Sequence, residues 1–130
     1  MHIRFTSSLE VTEEYSGTVW RLLSPLTVEV ADEVWEVPAD FLTDFSSIPR
    51  PARSVIPVLG KQNKASVLHD WFYAIKKVSR DKADKIFLAA MRASGVSWVK
   101  RTAMYLAVRA GGWWLYYDVG DRLRARFGLD

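Results

Sequence analysis

The chain of 130 residues contains no cysteine, no long apolar run and no strong excess of either charge. Without cysteine it forms neither a disulfide framework nor a thiolate zinc site. No apolar run reaches the length of about 18 residues that a membrane-spanning helix needs. The N-terminal stretch MHIRFTSSLEVTEEYSG also lacks the apolar core of a signal peptide. The lack of cysteine fits a cytosolic protein or a virion component, and we expect neither a signal peptide nor a transmembrane span.

Charge and histidine content limit the partners and ligands further. The net charge of +3 is too small to indicate nucleic-acid binding by itself. The only histidines are His2 and His69, so a zinc site would need mostly carboxylate ligands. For any metal site we therefore expect calcium, or another divalent cation that prefers oxygen ligands such as magnesium, instead of zinc.

The length predicts a single domain over residues 1–130, with a β-rich part at 1–45 and a helical part at 61–127. Residues 18–24, 26–31 and 33–39 are rich in Val, Trp, Leu and Thr and are separated by short turn signals. We expect them to form a small antiparallel β-meander, with an extra strand near residues 3–5.

A proline-rich loop follows at residues 38–60, where four prolines exclude regular structure beyond a short turn. Ordered loops of this length are often functional. Within it, Asp44 could cap a turn, pair with Arg50, or provide a ligand for a site shared with His69 and Asp70. Asx and Ser turn chemistry explains much of the same composition.

The remainder has helical spacing. Apolar residues indicate helices over 61–77 and 80–94, and a third, long helix that starts at Trp98. Ser79 is a suitable N-cap for the second helix, and Gly95 is suited to the position that follows it. Strands followed by helices predict an α+β fold: a small N-terminal antiparallel β-meander, a proline-rich loop, a helical hairpin and a long C-terminal helix.

The helical hairpin carries titratable groups where a core is expected. His69 and Tyr73 share a face at i,i+4, and Asp84 borders the apolar stripe of the second helix. A linker of about two residues implies antiparallel packing, which places Tyr73 level with Asp84 and His69 about one turn further along. A buried carboxylate needs a partner, and a histidine oriented by an aspartate is typical of a general base.

Two other interpretations of the hairpin stay open. A histidine in an apolar helix is often a core residue with satisfied hydrogen bonds, and it then has no catalytic role. Asp84 could also pair with Arg80, four residues earlier, on the surface.

The aromatic and basic segment at 104–127 is a third candidate site. It could be an interfacial helix on a lipid surface. Alternatively, Trp113 and Trp114 could cover the sheet or contact a partner protein. The mixture of aromatic and basic residues also permits binding of single-stranded nucleic acid, but no recognised binding module is present, so we expect no nucleic-acid partner.

Four stretches, in order, are characteristic of a family: VPADFLTDFSSIPR, ASVLHDWFY, SRDKADKIFLAAMRASGV and MYLAVRAGG. Across about residues 34–112 the chain resembles an uncharacterised family of small proteins encoded by tailed bacteriophages and prophages, usually among tail or lysis genes. The resemblance implies a phage context and no particular chemistry. It implies phage tail or other virion proteins as partners, and a location in the virion or in the host cytoplasm.

The hairpin also resembles part of another family. HDWFY is similar to the His-Asp-x-x-Tyr motif of secreted phospholipases A2, and ADKIFLAAM is similar to the second active-site helix of those enzymes. This resemblance implies that His69 activates water, Asp70 binds calcium, and Asp84 orients His69 with help from Tyr73. The chain departs from that family because it has no cysteine and no glycine-rich calcium loop.

Three functions therefore compete within a phage protein of tail assembly, host entry or lysis. The first is a metal-assisted hydrolase of lipid esters or cell-wall bonds, with a site built from Asp44, His69, Asp70 and Asp84. The second is a structural or assembly component of the virion, in which the polar cluster only stabilises the fold. The third is a membrane- or partner-binding module that uses Trp113 and Trp114. The hydrolase requires its residues to converge on a pocket that solvent reaches.

Overall fold

The computed structural model describes residues 1–14, 19–43 and 60–114, and residues 112–114 by their backbone alone. Six strands come first in the described part of the chain: β1 (Ile3–Phe5), β2 (Val11–Glu14), β3 (Val19–Leu22), β4 (Leu26–Val30), β5 (Glu33–Val37) and β6 (Leu42–Thr43). Three helices follow: α1 (Asn63–Ile75), α2 (Arg80–Ala93) and α3 (Trp98–Trp114). The predicted α+β class and order of elements are confirmed.

The described strands form two antiparallel sheets of three strands, ordered β1-β4-β5 and β2-β3-β6. The predicted meander is therefore correct for the β4–β5 hairpin, and wrong for β3, which pairs with β2 and β6 instead of β4. The extra strand predicted near residues 3–5 is confirmed as β1. The short strands β2 and β6 were not predicted, because neither has a strong run of β-forming residues.

The helix boundaries follow the predicted signals closely. The Ser79 hydroxyl accepts a hydrogen bond from the Lys82 backbone N–H, 3.2 Å away, at the start of α2. Gly95 follows the end of α2 with a φ of +80°, a conformation that glycine adopts without strain. Helix α3 continues through the glycines at 111 and 112 to Trp114, although glycine has a low helix propensity.

Helix α1 is the central element of the helical layer. It packs against α2, which packs against α3, and it also contacts β5. Between Ala65 and Ile75 every α1 side chain is buried except that of Asp70, which is partly buried. A helix that is buried on nearly all sides belongs to a core, so polar residues on α1 lie inside the protein.

The core joins the strands to α1 through aromatic contacts. The rings of Trp35 and Phe72 meet edge to face with centroids 5.0 Å apart, and those of Phe41 and Trp71 do so at 5.2 Å. Such edge-to-face pairs fix the relative position of the layers in addition to burying apolar surface. Within residues 1–14, 19–43 and 60–114, no helix is long and apolar enough to span a membrane.

Candidate functional site

Asp84 on α2 is the centre of a buried polar cluster. Its Oδ1 atom is 2.7 Å from His69 Nε2 and 2.5 Å from the Tyr73 hydroxyl, both on α1. The prediction that Tyr73 and Asp84 meet across the hairpin is confirmed. His69, expected one turn further along, reaches the same carboxylate oxygen.

Helix spacing explains why His69 and Tyr73 converge. Residues four apart lie above one another on a helix face, and the His69 and Tyr73 rings are 4.1 Å apart between centroids. Phe87 of α2 contacts the His69 ring from the other helix, at 4.6 Å between centroids. These aromatic contacts fix the orientation of the imidazole toward Asp84.

The second oxygen of Asp84 faces arginines. Arg109 of α3 donates a hydrogen bond from Nη1 to Oδ2 at 2.7 Å, and Arg80 Nε lies 4.0 Å from the same oxygen. The expected pairing of Asp84 with Arg80 is present, but its expected location on the surface is wrong, because the Asp84 side chain is 0% exposed. Of the two arginines, Arg109 is the closer, and it comes from a helix outside the hairpin.

Arg80 connects α2 to the main chain of α3. Its Nη2 atom donates hydrogen bonds to the carbonyl oxygens of Val108 and Arg109, at 2.9 and 2.6 Å. The cluster therefore involves all three helices: α1 and α3 contribute donors to Asp84, and Arg80 of α2 returns a donor to α3. Because His69, Tyr73 and Asp84 are buried, the hydrogen bonds among them are stronger than they would be in water.

The cluster maintains Asp84 as a carboxylate. Burial by itself would raise the pKa of Asp84, but hydrogen bonds from His69, Tyr73 and Arg109 outweigh burial and lower the pKa below its ordinary value. Burial and the hydrogen bond to Asp84 raise the pKa of Tyr73, so its hydroxyl stays protonated. An ionised carboxylate only accepts hydrogen bonds, which assigns a proton to His69 Nε2.

His69 is sealed from solvent. Its side chain is 1% exposed. A general base must reach its water or substrate directly or through one water molecule. The hydrolase hypothesis requires a pocket through which solvent reaches His69, and this requirement is not met. The hypothesis also requires His69 to pair with Asp84, and this pairing is present.

Asp70, the proposed metal ligand next to His69, has a different neighbour. Its Oδ2 atom accepts a hydrogen bond of 2.5 Å from the hydroxyl of Thr43 in β6. Asp70 is partly buried, whereas Thr43 is buried. This contact joins α1 to the last strand, directly before residues 44–59.

Several predicted site residues lie outside the described part of the chain. Asp44 and Arg50 belong to residues 44–59, and the side chains of Trp113 and Trp114 are likewise not described. In the described ranges, no three His, Asp or Glu side chains are arranged to hold a metal ion. The roles predicted for these residues stay predictions.

Sequence reasoning missed the role of Arg109. Arg109 lies within the aromatic and basic segment at 104–127, and no part of that segment was connected with the hairpin. The available signal was the i,i+4 pair Met104 and Val108, which is buried against the hairpin and positions the adjacent Arg109 at the edge of the contact. Thr43 was also missed, because nothing local in the sequence relates it to Asp70.

Comparison with known proteins identifies the family. Residues 20–108 match the model of a family described as a protein of unknown function, DUF1353. The chain is 38% identical over 96 residues to the "Uncharacterized protein y4jT" of Sinorhizobium fredii, an alignment that covers 71% of this chain and 29% of that protein. The chain thus spans less than a third of the length of this relative. No solved structure matches this chain. The chain belongs to the DUF1353 family, whose function is unknown.

Proposed function

We propose that this chain is a non-enzymatic phage or prophage protein, a structural or assembly component of the particle whose buried polar cluster joins three helices. One observation carries the non-enzymatic part of the proposal. The Asp84 side chain is 0% exposed and accepts hydrogen bonds from α1 on one oxygen and from α3 on the other. An arrangement of this kind specifies how helices pack, and it keeps His69, Tyr73 and Asp84 buried.

The phage context rests on the four motifs between residues 34 and 112 that resemble proteins of tailed phages and prophages. The length of the relative in Sinorhizobium fredii is compatible with an assembly role, because a domain that covers 29% of a longer chain can act as one module of it. We propose a location in the virion or the host cytoplasm, with tail or other virion proteins as partners.

A hydrolase is the second candidate, and one observation favours it. His69 Nε2 lies 2.7 Å from the buried carboxylate of Asp84, the arrangement that orients a histidine for general-base catalysis. Asp70 is the neighbouring carboxylate for a divalent cation such as calcium, with Asp44 as its proposed companion. This candidate requires water to reach an imidazole that is 1% exposed.

Particle composition tests the proposal. A prophage that encodes Asp84→Asn should yield particles that contain less of the protein, or fewer particles. Asp32→Asn, at an exposed turn away from the cluster, serves as the control. Protein levels in the cell lysate establish whether a loss follows from degradation before assembly. Normal incorporation of a stably folded Asp84→Asn chain into infectious particles would count against the proposed role of the cluster.

Calorimetry and turnover assays separate the two candidates. If the chain is structural, we expect neither the wild type nor Asp70→Asn to bind Ca²⁺ or Mg²⁺ in calorimetry. We also expect no hydrolysis of phospholipid vesicles or purified cell wall. Divalent-ion binding that Asp70→Asn abolishes, together with hydrolysis that His69→Gln abolishes in a folded protein, would establish the hydrolase instead.

A further inference from the structure

A basic cleft lies between α2 and α3, beside the start of β1, away from the buried cluster. Lys85, Leu88, Ala89 and Arg92 of α2 are spaced i, i+3, i+4 and i+7, so they share the face that lines it. Helix α3 contributes Trp98 and Arg101, among others, to the opposite wall. The volume of the cleft is about 550 Å³.

The charged side chains of this first cleft are all basic. Lys85, Arg92 and Arg101 line it, and no acidic residue does so within the described part of the chain. Lys85 also pairs with Asp81 at 3.0 Å, and Arg101 donates a hydrogen bond to the Val96 carbonyl. Arg92 is exposed and has no ion pair with any described residue, so its charge is available to a ligand.

A second basic cleft adjoins the first. It has a volume of about 660 Å³, and its charged lining residues in the described ranges are Arg4, Lys61 and Lys64. The two clefts share the lining residues Ile3 and Ala93, so they adjoin at these residues. Arg4 pairs with Glu29 and Lys64 Nζ donates to the Ser7 carbonyl, which leaves Lys61 as the exposed cation of this cleft.

Apolar groups accompany these charges. Ile3 and Leu88 line the first cleft, and Trp98 is at its wall with 67% of its surface exposed. Val99 and Leu106 extend the exposed apolar surface along α3. A large exposed indole beside basic groups is typical of an interaction surface, because it offers apolar contact area that water otherwise covers.

We propose that the two clefts form one docking surface for an acidic, amphipathic segment of a partner protein. Carboxylates of the segment would pair with Arg92 and Lys61, and apolar side chains would cover Trp98 and Leu88. This inference goes beyond the proposed function and does not depend on whether the buried cluster is structural or catalytic.

The apolar part of the lining favours a protein over other anions. Single-stranded nucleic acid binds on successive aromatic platforms, whereas Trp98 is the one largely exposed tryptophan whose side chain is described here. A lipid surface engages protruding groups, whereas these cations line concave walls. An amphipathic helix laid into a groove supplies both the carboxylates and the apolar side chains that this surface lacks.

Titration with a model segment tests the proposal. The probe is a helix-forming peptide with leucines on one face and glutamates on the other, and its control replaces every glutamate with glutamine. We expect the acidic peptide to bind in calorimetry and the glutamine peptide to bind at least about tenfold more weakly, since a tenfold change corresponds to loss of one or two rim ion pairs. Affinity should also fall as salt is added.

Matched charge reversals locate the surface. Arg92→Glu should weaken binding of the acidic peptide about tenfold, whereas Lys82→Glu, which makes the same charge change on α2 outside the cleft, should leave it within about twofold. Trp98→Ala should weaken binding of the acidic peptide and leave the fold unchanged, because this indole is 67% exposed. Circular dichroism of each variant verifies folding.

Three results would overturn the docking surface. If Arg92→Glu and Lys82→Glu lose the same peptide affinity, the net charge of the protein alone attracts the peptide. Equal binding of the glutamine peptide would remove the role of the cations. Tighter binding of a single-stranded oligonucleotide, or of vesicles containing anionic lipid, through Arg92 would assign the surface to that partner class instead.

Discussion

Arg109 Nη1 lies 2.7 Å from Oδ2 of Asp84, although the two residues are on different helices and 25 positions apart in the chain. This ion pair attaches α3 to the helical hairpin at the point where Tyr73 and His69 already hold Asp84. Removing one member of a buried pair leaves an uncompensated charge, which is more costly than replacing the whole pair with apolar groups. The stability of the helical layer should therefore depend strongly on Asp84.

Replacing Asp84 with asparagine should lower the free energy of unfolding by about 3 kcal/mol, because Arg109 loses its carboxylate. The amide oxygen can still accept from Tyr73 and His69, but the amide nitrogen then presents a donor to the Arg109 guanidinium. Urea unfolding followed by circular dichroism measures the change. The exposed Asp32→Asn, in the turn between β4 and β5, is the matched control, because Asp32 forms no ion pair with a described residue, and it should cost less than about 0.5 kcal/mol. Equal losses in the two variants would remove Asp84 from the centre of the cluster.

Replacing Arg109 with glutamine should destabilise the protein less than Asp84→Asn does. The Arg109 side chain is 32% exposed, so water can replace part of its hydrogen bonding, and Arg80 remains near the carboxylate. The double variant Asp84→Asn/Arg109→Gln should be more stable than the sum of the two single effects predicts, since the partners interact directly. Additive losses in that cycle would contradict the ion pair.

Replacing Tyr73 with phenylalanine should cost about 2 kcal/mol, because it removes a hydrogen bond to a buried charge and leaves the ring packing unchanged. Thermal or urea unfolding measures the loss. In the Asp84→Asn background the same substitution should have a smaller effect, since the acceptor is then neutral. A Tyr73→Phe protein as stable as the wild type would show that His69 and the arginines satisfy Asp84 without the phenol.

Acid should weaken the fold through Asp84. The hydrogen bonds to Asp84 outweigh burial and lower its folded-state pKa below the ordinary value of 3.8, so the unfolded chain binds a proton at higher pH than the folded protein does. The stabilisation is fully present above about pH 4 and is lost as the pH falls through the folded-state pKa. The difference in Tm between wild type and Asp84→Asn should therefore shrink below about pH 4. A difference that is constant or grows toward low pH would contradict this sign.

Two glycine substitutions should have opposite effects. Gly95→Ala should destabilise the protein by about 1 kcal/mol, because Gly95 has a φ of +80° and alanine is strained there. Gly111→Ala should stabilise it by about 0.5–1 kcal/mol, since this residue is inside α3 and a β-carbon there meets no atom within 4 Å. Urea unfolding measures the change in the free energy of unfolding for each variant. Changes of the same sign in both variants would refute the assigned backbone conformations.

Sequence reasoning found the elements whose signals are local. The Ser79 cap and Gly95 fixed the ends of α2, and apolar spacing located all three helices. The meeting of Tyr73 and Asp84 was also predictable, because a short linker and helix periodicity together determine which residues of a hairpin lie level. The division of the strands was not predictable, since pairing of β3 with β2 and β6 depends on contacts between distant segments.

By itself, the sequence determined the α+β order, the helical hairpin and the meeting of Tyr73 with Asp84, with His69 about one turn away, because helix geometry relates positions a few residues apart. Only the tertiary structure decided that Arg109 completes the cluster, that Thr43 contacts Asp70 and that His69 is sealed from water. Those features depend on how α3, β6 and the rest of the core pack against the hairpin. Side-chain packing between distant segments sets that geometry, and local spacing does not encode it.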